Sequence, residues 1–246
     1  MSFKAAVLTL YPEIFPGPLG ISLAGQALKK GIWSLSVRQI RDFATDKHHS
    51  VDDKPAGGGA GMIMRADVLA KAIDAELQDN DKRPLIYMSP RGQLLNQQLV
   101  QDISSLPGVI ITCGRFEGVD ERIIAMRSLV EISIGDYLLF GGELAAMVLL
   151  EACIRLIPGV IGSLHSNVEE SLVNGLLEYP QYTKPRLIEG LAIPDVLLSG
   201  NHAHIKEWRD AKSREITQQR RPDLWMKHKT DCQSNPENKP PDTTQT

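Results

Sequence analysis

The stretch "GVIITCGRFEGVDER", residues 108 to 122, joins two kinds of sequence. Residues 108 to 114 form a short run rich in Val and Ile, as in a strand buried on both faces. Residues 113 to 122 then turn polar and carry two glycines, as in a loop that brings backbone close to a ligand. A buried strand that runs straight into such a loop is the unit from which α/β sheets build their sites. Four more runs share the strand composition: residues 3 to 10, 33 to 40, 84 to 89 and 128 to 134. Between them, residues 19 to 30, 66 to 78, 93 to 104 and 143 to 157 place apolar side chains at helical spacing. The alternation predicts an α/β domain over residues 1–160.

Beyond Pro158 and Gly159 the pattern weakens, and residues 161–170 read as a flexible linker. Residues 171–226 are expected to form a small, mainly helical domain, and the polar, Pro-containing segment 227–246 to be disordered. The chain has 246 residues, 42% of them hydrophobic, enough for a sizeable core. A formal net charge of −3 argues against general coating of nucleic acid but leaves room for a local basic patch. Cys113, Cys153 and Cys232 are far apart, with neither a CxxC pair nor a Cys/His cluster. That favours a reducing compartment and offers no zinc site. The first residues, "MSFKAAVLTLYPEIF", hold too short an apolar run for a signal sequence or a membrane span. A cytoplasmic protein without membrane attachment is expected.

The first strand leads into "YPEIFPGPLG", which lacks GxGxxG, so an ordinary NAD-binding fold is disfavoured. Gly57, Gly58, Gly59 and Gly61 lack the GKS/T ending of a nucleotide P-loop. Glycine-bearing loops instead follow later strands: "YMSPRG" (87 to 92), "CGRFEGVDER" (113 to 122) and "SIGDYLLFGGEL" (133 to 144). Each alone reads as ordinary turn glycine; three together can converge on one crevice.

Two other features carry open readings. Glu169 and Glu170 in "SNVEESLVNG" are solvated charges, a helix N-terminal pair or the base of an active site. Within residues 202 to 221 six Lys and Arg face three Asp and Glu, which suits either a solvated helix or a phosphate-binding face. Arg209, Ser213, Thr217 and Arg220 follow helical spacing along that segment.

Taken in order, "RDFATDKHHSVDDKPAGGGAGMIM", "YMSPRG", "CGRFEGVDERI", "SIGDYLLFGGELAAM", "RLIPGV", "GLLEYPQYTKP" and "WRDAKSREITQQRRPDL" resemble the bacterial tRNA (guanine-N1)-methyltransferases that act at tRNA position 37. These belong to the SPOUT superfamily, and the likeness runs from about Phe3 to Leu224. The resemblance implies a SPOUT-type sheet with a deep trefoil knot, a homodimer with active sites at the subunit interface, and a methyl donor, S-adenosylmethionine. By position it assigns the donor site to Tyr87, Met88, Ser89, Pro90, Gly114, Glu117, Gly118, Ser133, Ile134, Gly135, Tyr137, Leu139, Gly141 and Gly142. Asp52, Lys54, Arg115, Arg209, Ser213, Thr217 and Arg220 would meet tRNA, with Lys47 and His48 near the anticodon arm. The modified guanosine adjoins the anticodon, where methylation supports maintenance of the reading frame. A divalent-metal dependence, usually magnesium (Mg2+), is implied, although the chain offers no evident all-protein metal site.

The chemistry explains the residue types. Guanine N1 carries a proton, so methyl transfer needs a general base near N1 and in-line alignment. Charge that develops toward O6 needs a fixed cation or donor. The resemblance gives these roles to Glu170 and Arg155; otherwise Arg155 reads as a helix C-terminal cation. Most family members carry Asp at the position of Glu170, and many carry Pro at that of Ala145. The extra helices that some members have after "RRPDL" are not expected here. A noncatalytic RNA-binding relative, or a methyltransferase for another RNA, is the rival class.

Overall fold

A computed structural model describes residues 2–161 and 175–234, the last three by their backbone alone, in two compact units, Met1–Gly162 and Ser163–Thr246. Almost all of the expected linker, with Glu169 and Glu170, lies outside the described residues.

The first unit begins with β1 (Phe3–Thr9), α1 (Ser22–Lys29) and β2 (Trp33–Gln39), followed by a small hairpin of β3 (Asp52–Asp53) and β4 (Ile63–Met64). Next come α2 (Ala66–Glu76), β5 (Leu85–Leu94), α3 (Gln97–Ser104) and β6 (Gly108–Cys113). It ends with α4 (Glu121–Arg127), β7 (Val130–Ser133) and α5 (Glu143–Ile154). Five strands form a parallel sheet in the order β2-β1-β6-β5-β7, with Val7 opposite Val37 on one side and Ile111 on the other.

Every residue of β6 is buried because helices cover both faces of this central strand. Val109, Ile111 and Cys113 join Ala5, Val7, Ile86 and Met88 in a core with α1, α3 and α5. The alternate residues Ile110, Ala6, Leu8 and Tyr87 pack with α2 and α4 on the other face. The period of two along each strand thus divides a nearly all-apolar sequence between two cores.

One element differs from expectation. The sequence predicts a strand over residues 84 to 89 and a helix over 93 to 104, yet β5 extends to Leu94 and α3 starts at Gln97. Met88 and Gln93 both pair with Ile132, so Ser89 to Gly92 loop out of the ladder before pairing resumes. A Cβ on Gly92 would collide with the backbone of Glu131 and Ile132, and only glycine permits that approach. Asn96 then sets the start of α3 by accepting the Leu99 N–H at 2.9 Å.

The second unit contains a short hairpin, β8 (Leu187–Ile188) and β9 (Leu191–Ala192), then α6 (Asp195–Leu198), α7 (His202–Arg220) and α8 (Pro222–Ser234). Asn201 caps α7 by accepting the N–H groups of Ala203 and His204. α8 continues past Met226 into the stretch expected to be disordered. No Pro or Gly interrupts residues 223 to 235, and the polar side chains there favour a solvated helix as well as a coil. That helix begins inside "RRPDL", at Pro222, and runs on past Leu224.

Among the described residues, no helix is long and apolar enough to cross a membrane.

Candidate active site

The three glycine-bearing loops converge. An open cleft of about 1310 Å³ lies at the carboxyl ends of β5, β6 and β7, where open α/β sheets hold ligands. Tyr87, Met88, Ser89 and Pro90 reach it from β5, and Gly114, Glu117 and Gly118 from the loop after β6. Ser133, Ile134, Gly135, Tyr137, Leu139, Gly141 and Gly142 reach it from β7 and the segment that follows. All fourteen residues assigned to the donor site therefore border one space.

Backbone forms much of its floor. The Gly142 N–H donates to the Gly114 carbonyl at 2.9 Å, tying the segment before α5 to the end of β6. A Cβ on Gly142 would lie 2.9 Å from the Cys113 Cα, and one on Gly114 would lie 2.7 Å from the Tyr87 ring. Burial pushes the Tyr87 phenol above its ordinary pKa, so it stays neutral. Gly135 has φ +148 and lies against the Tyr137 ring, a conformation a side chain would strain. Its N–H donates to the Ser133 hydroxyl at 3.2 Å. The β3–β4 hairpin is fastened to the rim through Met64 N–H to Gly118 O at 2.9 Å and Glu117 N–H to Met62 O at 3.0 Å.

Charged groups ring this floor. Lys54 and Arg115 border the cleft, but Asp53, not Asp52, is the acid of β3 that does so, since adjacent strand residues point opposite ways. Arg91, on the looped-out part of β5, pairs with Glu121 at 2.8 Å and Glu131 at 3.3 Å. Arg115 donates from Nε to Glu143 Oε1 at 3.2 Å and from Nη1 to the Phe140 carbonyl at 3.4 Å. Its guanidinium carbon lies 4.3 Å from the centroid of the Tyr11 ring. Glu143 is only 2% exposed and accepts the Thr9 hydroxyl at 2.7 Å. Glu143, Thr9 and Tyr11 were not singled out from sequence. The available signal was one carboxylate inside the apolar run after "GG", a position that requires a buried partner.

Arg155 does not border this cleft; it is the C-cap of α5, whose N-terminus does. The rise of an α-helix puts twelve residues at roughly 18 Å, so the two ends of α5 serve different places within one chain.

In the second unit Arg220 is exposed, while the Arg209 guanidinium lies 4.7 Å from the Tyr179 ring centroid. Thr217 departs from the expectation of a tRNA-facing residue. It is fully buried, its hydroxyl accepting the Leu177 N–H at 2.9 Å and donating to the Ser213 carbonyl at 2.6 Å. Helical spacing placed it correctly on the line of Arg209 and Ser213, but that line turns inward here.

Apolar surface remains uncovered beside the cleft. Leu138 and Phe140 are 83% and 97% exposed. Leu144 and Val148 are exposed on α5, a helix that is apolar on nearly every face. A helix of that kind is ordinarily covered all round.

A model of the family described as tRNA (Guanine-1)-methyltransferase TrmD matches residues 3–227. The chain belongs to this family. Among its relatives, the tRNA (guanine-N(1)-)-methyltransferase of Chelativorans sp. (strain BNC1) is 62% identical over 226 residues, covering 92% of this chain and 96% of that protein. The Nitrobacter winogradskyi protein of the same name is 59% identical over 239 residues, covering 97% and 99%. That of Mesorhizobium japonicum is 60% identical over 228 residues, covering 93% and 98%. The match to the tRNA (guanine-N1)-methyltransferase family extends across both units, from β1 into α8.

Proposed function

We propose that the protein transfers a methyl group from S-adenosylmethionine to N1 of the guanosine at tRNA position 37, as a homodimer in which two subunits complete each active site. The observation that carries this reading is the convergence of all fourteen assigned residues on one cleft. The cleft suits the donor: its floor is glycine backbone where a Cβ would intrude, and its carbonyl and N–H groups suit the edges of an adenine and a ribose. S-adenosylmethionine supplies an electrophilic methyl group on a sulfonium.

The protein's part is to bind, align and move one proton. Glu170 takes the proton from guanine N1, which frees the lone pair for in-line attack, and Arg155 stabilises the charge that spreads to O6. A free glutamate has a pKa of about 4.3, so an apolar setting around Glu170 is needed to make it an effective base. The separation of Arg155 from its own chain's cleft supports delivery from the other subunit. The uncovered apolar faces of α5 and of residues 138 to 140 supply a surface for that pairing.

We read the return of the chain after β7 across Gly114, next to Met88 of β5, as part of a deep trefoil knot. Residues 171–226 serve tRNA binding in this reading, with contacts from Arg209, Ser213 and Arg220. Lys54, Arg115 and Asp52 add contacts from the first unit. Magnesium has no cage among the described residues, where no three His, Cys, Asp or Glu converge. An ion that keeps its waters and bridges substrate groups needs none.

Single-turnover kinetics with full-length tRNA test the base. Glu170→Gln should lower the methyl-transfer rate by roughly 100-fold or more, within the usual range for a general base, while Glu169→Gln stays near normal. Near-normal transfer by Glu170→Gln would remove Glu170 from the mechanism.

A further inference from the structure

We infer that Glu143 is a positioning residue which, with Thr9 and Tyr11, holds Arg115 as a preset two-pronged donor at the cleft, directed at a paired acceptor on the bound RNA. The inference deepens the methyl-transfer reading above and rests on it. A carboxylate 2% exposed is costly unless charged and polar partners compensate it, and the partners here close into a ring. Thr9, the last residue of β1, donates its hydroxyl to Glu143 Oε1 at 2.7 Å and accepts the Tyr11 N–H at 3.0 Å. Tyr11 carries the ring beneath the Arg115 guanidinium at 4.3 Å. Arg115 returns to Glu143 through Nε to Oε1 at 3.2 Å and through Nη2, 2.9 Å from Oε2. That second contact is an ion pair without the alignment of a hydrogen bond, which leaves Oε2 short of a donor. Gly141 completes the seat, because a Cβ there would run into the Arg115 side chain and Glu143.

Counting donors shows what the ring prepares. A guanidinium has five N–H groups. Nε donates to Glu143 and one N–H on Nη1 to the Phe140 carbonyl, while Nη2 pairs with Glu143 by charge alone, so each terminal nitrogen keeps at least one N–H for the cleft it borders. Two donors on one rigid plane match a pair of acceptors, such as two phosphate oxygens or O6 and N7 of a guanine. Because three sides of Arg115 are fixed before RNA arrives, little ordering remains to be done on binding. A bystander ion pair on a surface would lack both the buried carboxylate and the ring beneath.

The test uses the full-length protein with tRNA, measuring tRNA affinity, its salt dependence, kcat/KM for tRNA, donor affinity and Tm. Glu143→Gln and Thr9→Val should each lower kcat/KM for tRNA by roughly 10- to 100-fold, the usual cost of misplacing an aligned group by about an ångström. Donor affinity should hold within about 3-fold, and Thr9→Ser should restore the Thr9→Val loss. Glu143→Gln combined with Arg115→Ala should be no worse than Arg115→Ala alone, as expected of residues that act as one. Phosphate recognition predicts a shallower salt slope in Glu143→Gln; base-edge recognition predicts that only wild type is penalised by 7-deazaguanosine in the RNA. Either result supports the inference. A lowered Tm with unchanged kcat/KM, or losses from Glu143→Gln and Arg115→Ala that simply add, overturns it. Wild-type protein that neither binds nor methylates tRNA overturns the underlying reading instead.

Discussion

The two units hold themselves together by different means. In the first, a five-stranded sheet is buried between helices, and its cleft is built from backbone fixed by hydrogen bonds and by glycines that admit no side chain. In the second, Thr217 is the buried residue among those described, and ring contacts take over: Tyr182 on Trp208 at 6.2 Å, Arg209 on Tyr179, and Trp225 on His228 at 5.8 Å. A densely packed unit suits a task of exact placement. A thin one with an exposed basic helix suits broad contact with a polyanion, where charge matters more than position.

The sharpest way to break the first unit is to fill its cleft. Gly142→Val brings carbon against Cys113 and Gly114, and should weaken donor binding by about 100-fold or more by calorimetry, at the upper end of overpacking costs. Arg155→Ala should leave that affinity intact but slow transfer by roughly 100- to 1000-fold, the usual loss of a charge-stabilising donor. Mixing the two inactive variants should then restore activity, since a mixed dimer pairs one intact cleft with one intact Arg155. If mixing restores nothing, Arg155 does not act across the interface.

The second unit should respond to charge rather than to shape. Arg220→Ala should weaken tRNA binding uniformly across sequences and make the salt slope shallower by about 1. Arg209→Ala should also lower the unit's stability, because its guanidinium covers the Tyr179 ring. Equal salt slopes for wild type and Arg220→Ala would remove that contact.

The smallest expected effect concerns packing remote from the cleft. Arg83 lies between Asp81 at 2.6 Å and Glu76 at 3.4 Å. Its hydrogen bond holds the Asp81 carboxyl at about 2, below the ordinary 3.8. With a depressed folded value, the stabilisation is fully present above pH 3.8 and is lost as pH falls through about 2. Asp81→Asn should therefore unfold at lower urea than wild type at pH 6, with the gap closing toward pH 2. A gap that does not depend on pH would mean that the ion pair contributes nothing.

Much of the first unit was legible because β6 and β1 are buried on both faces and read as continuous apolar runs. The second half of β5 was not: "PRGQL" is polar, and the strand resumes only where Gln93 and Leu94 pair with β7. The cleft was legible as three loops, since glycine at strand ends is a local signal. The ring around Arg115 was not, because Thr9 and Glu143 stand 134 residues apart and neither is unusual alone. Thr217 misled for a related reason: helical spacing shows which residues share a face, not whether that face turns outward. Arg155 was legible as a helix C-terminal cation, the place it occupies.

The central claim is methyl transfer to one guanosine. It is tested most directly by incubating the protein with methyl-labelled S-adenosylmethionine and either of two tRNAs that differ only in having guanosine or adenosine at position 37. The account predicts label at N1 of the guanosine in the first and none in the second. Equal labelling of both, or label in neither, would contradict it.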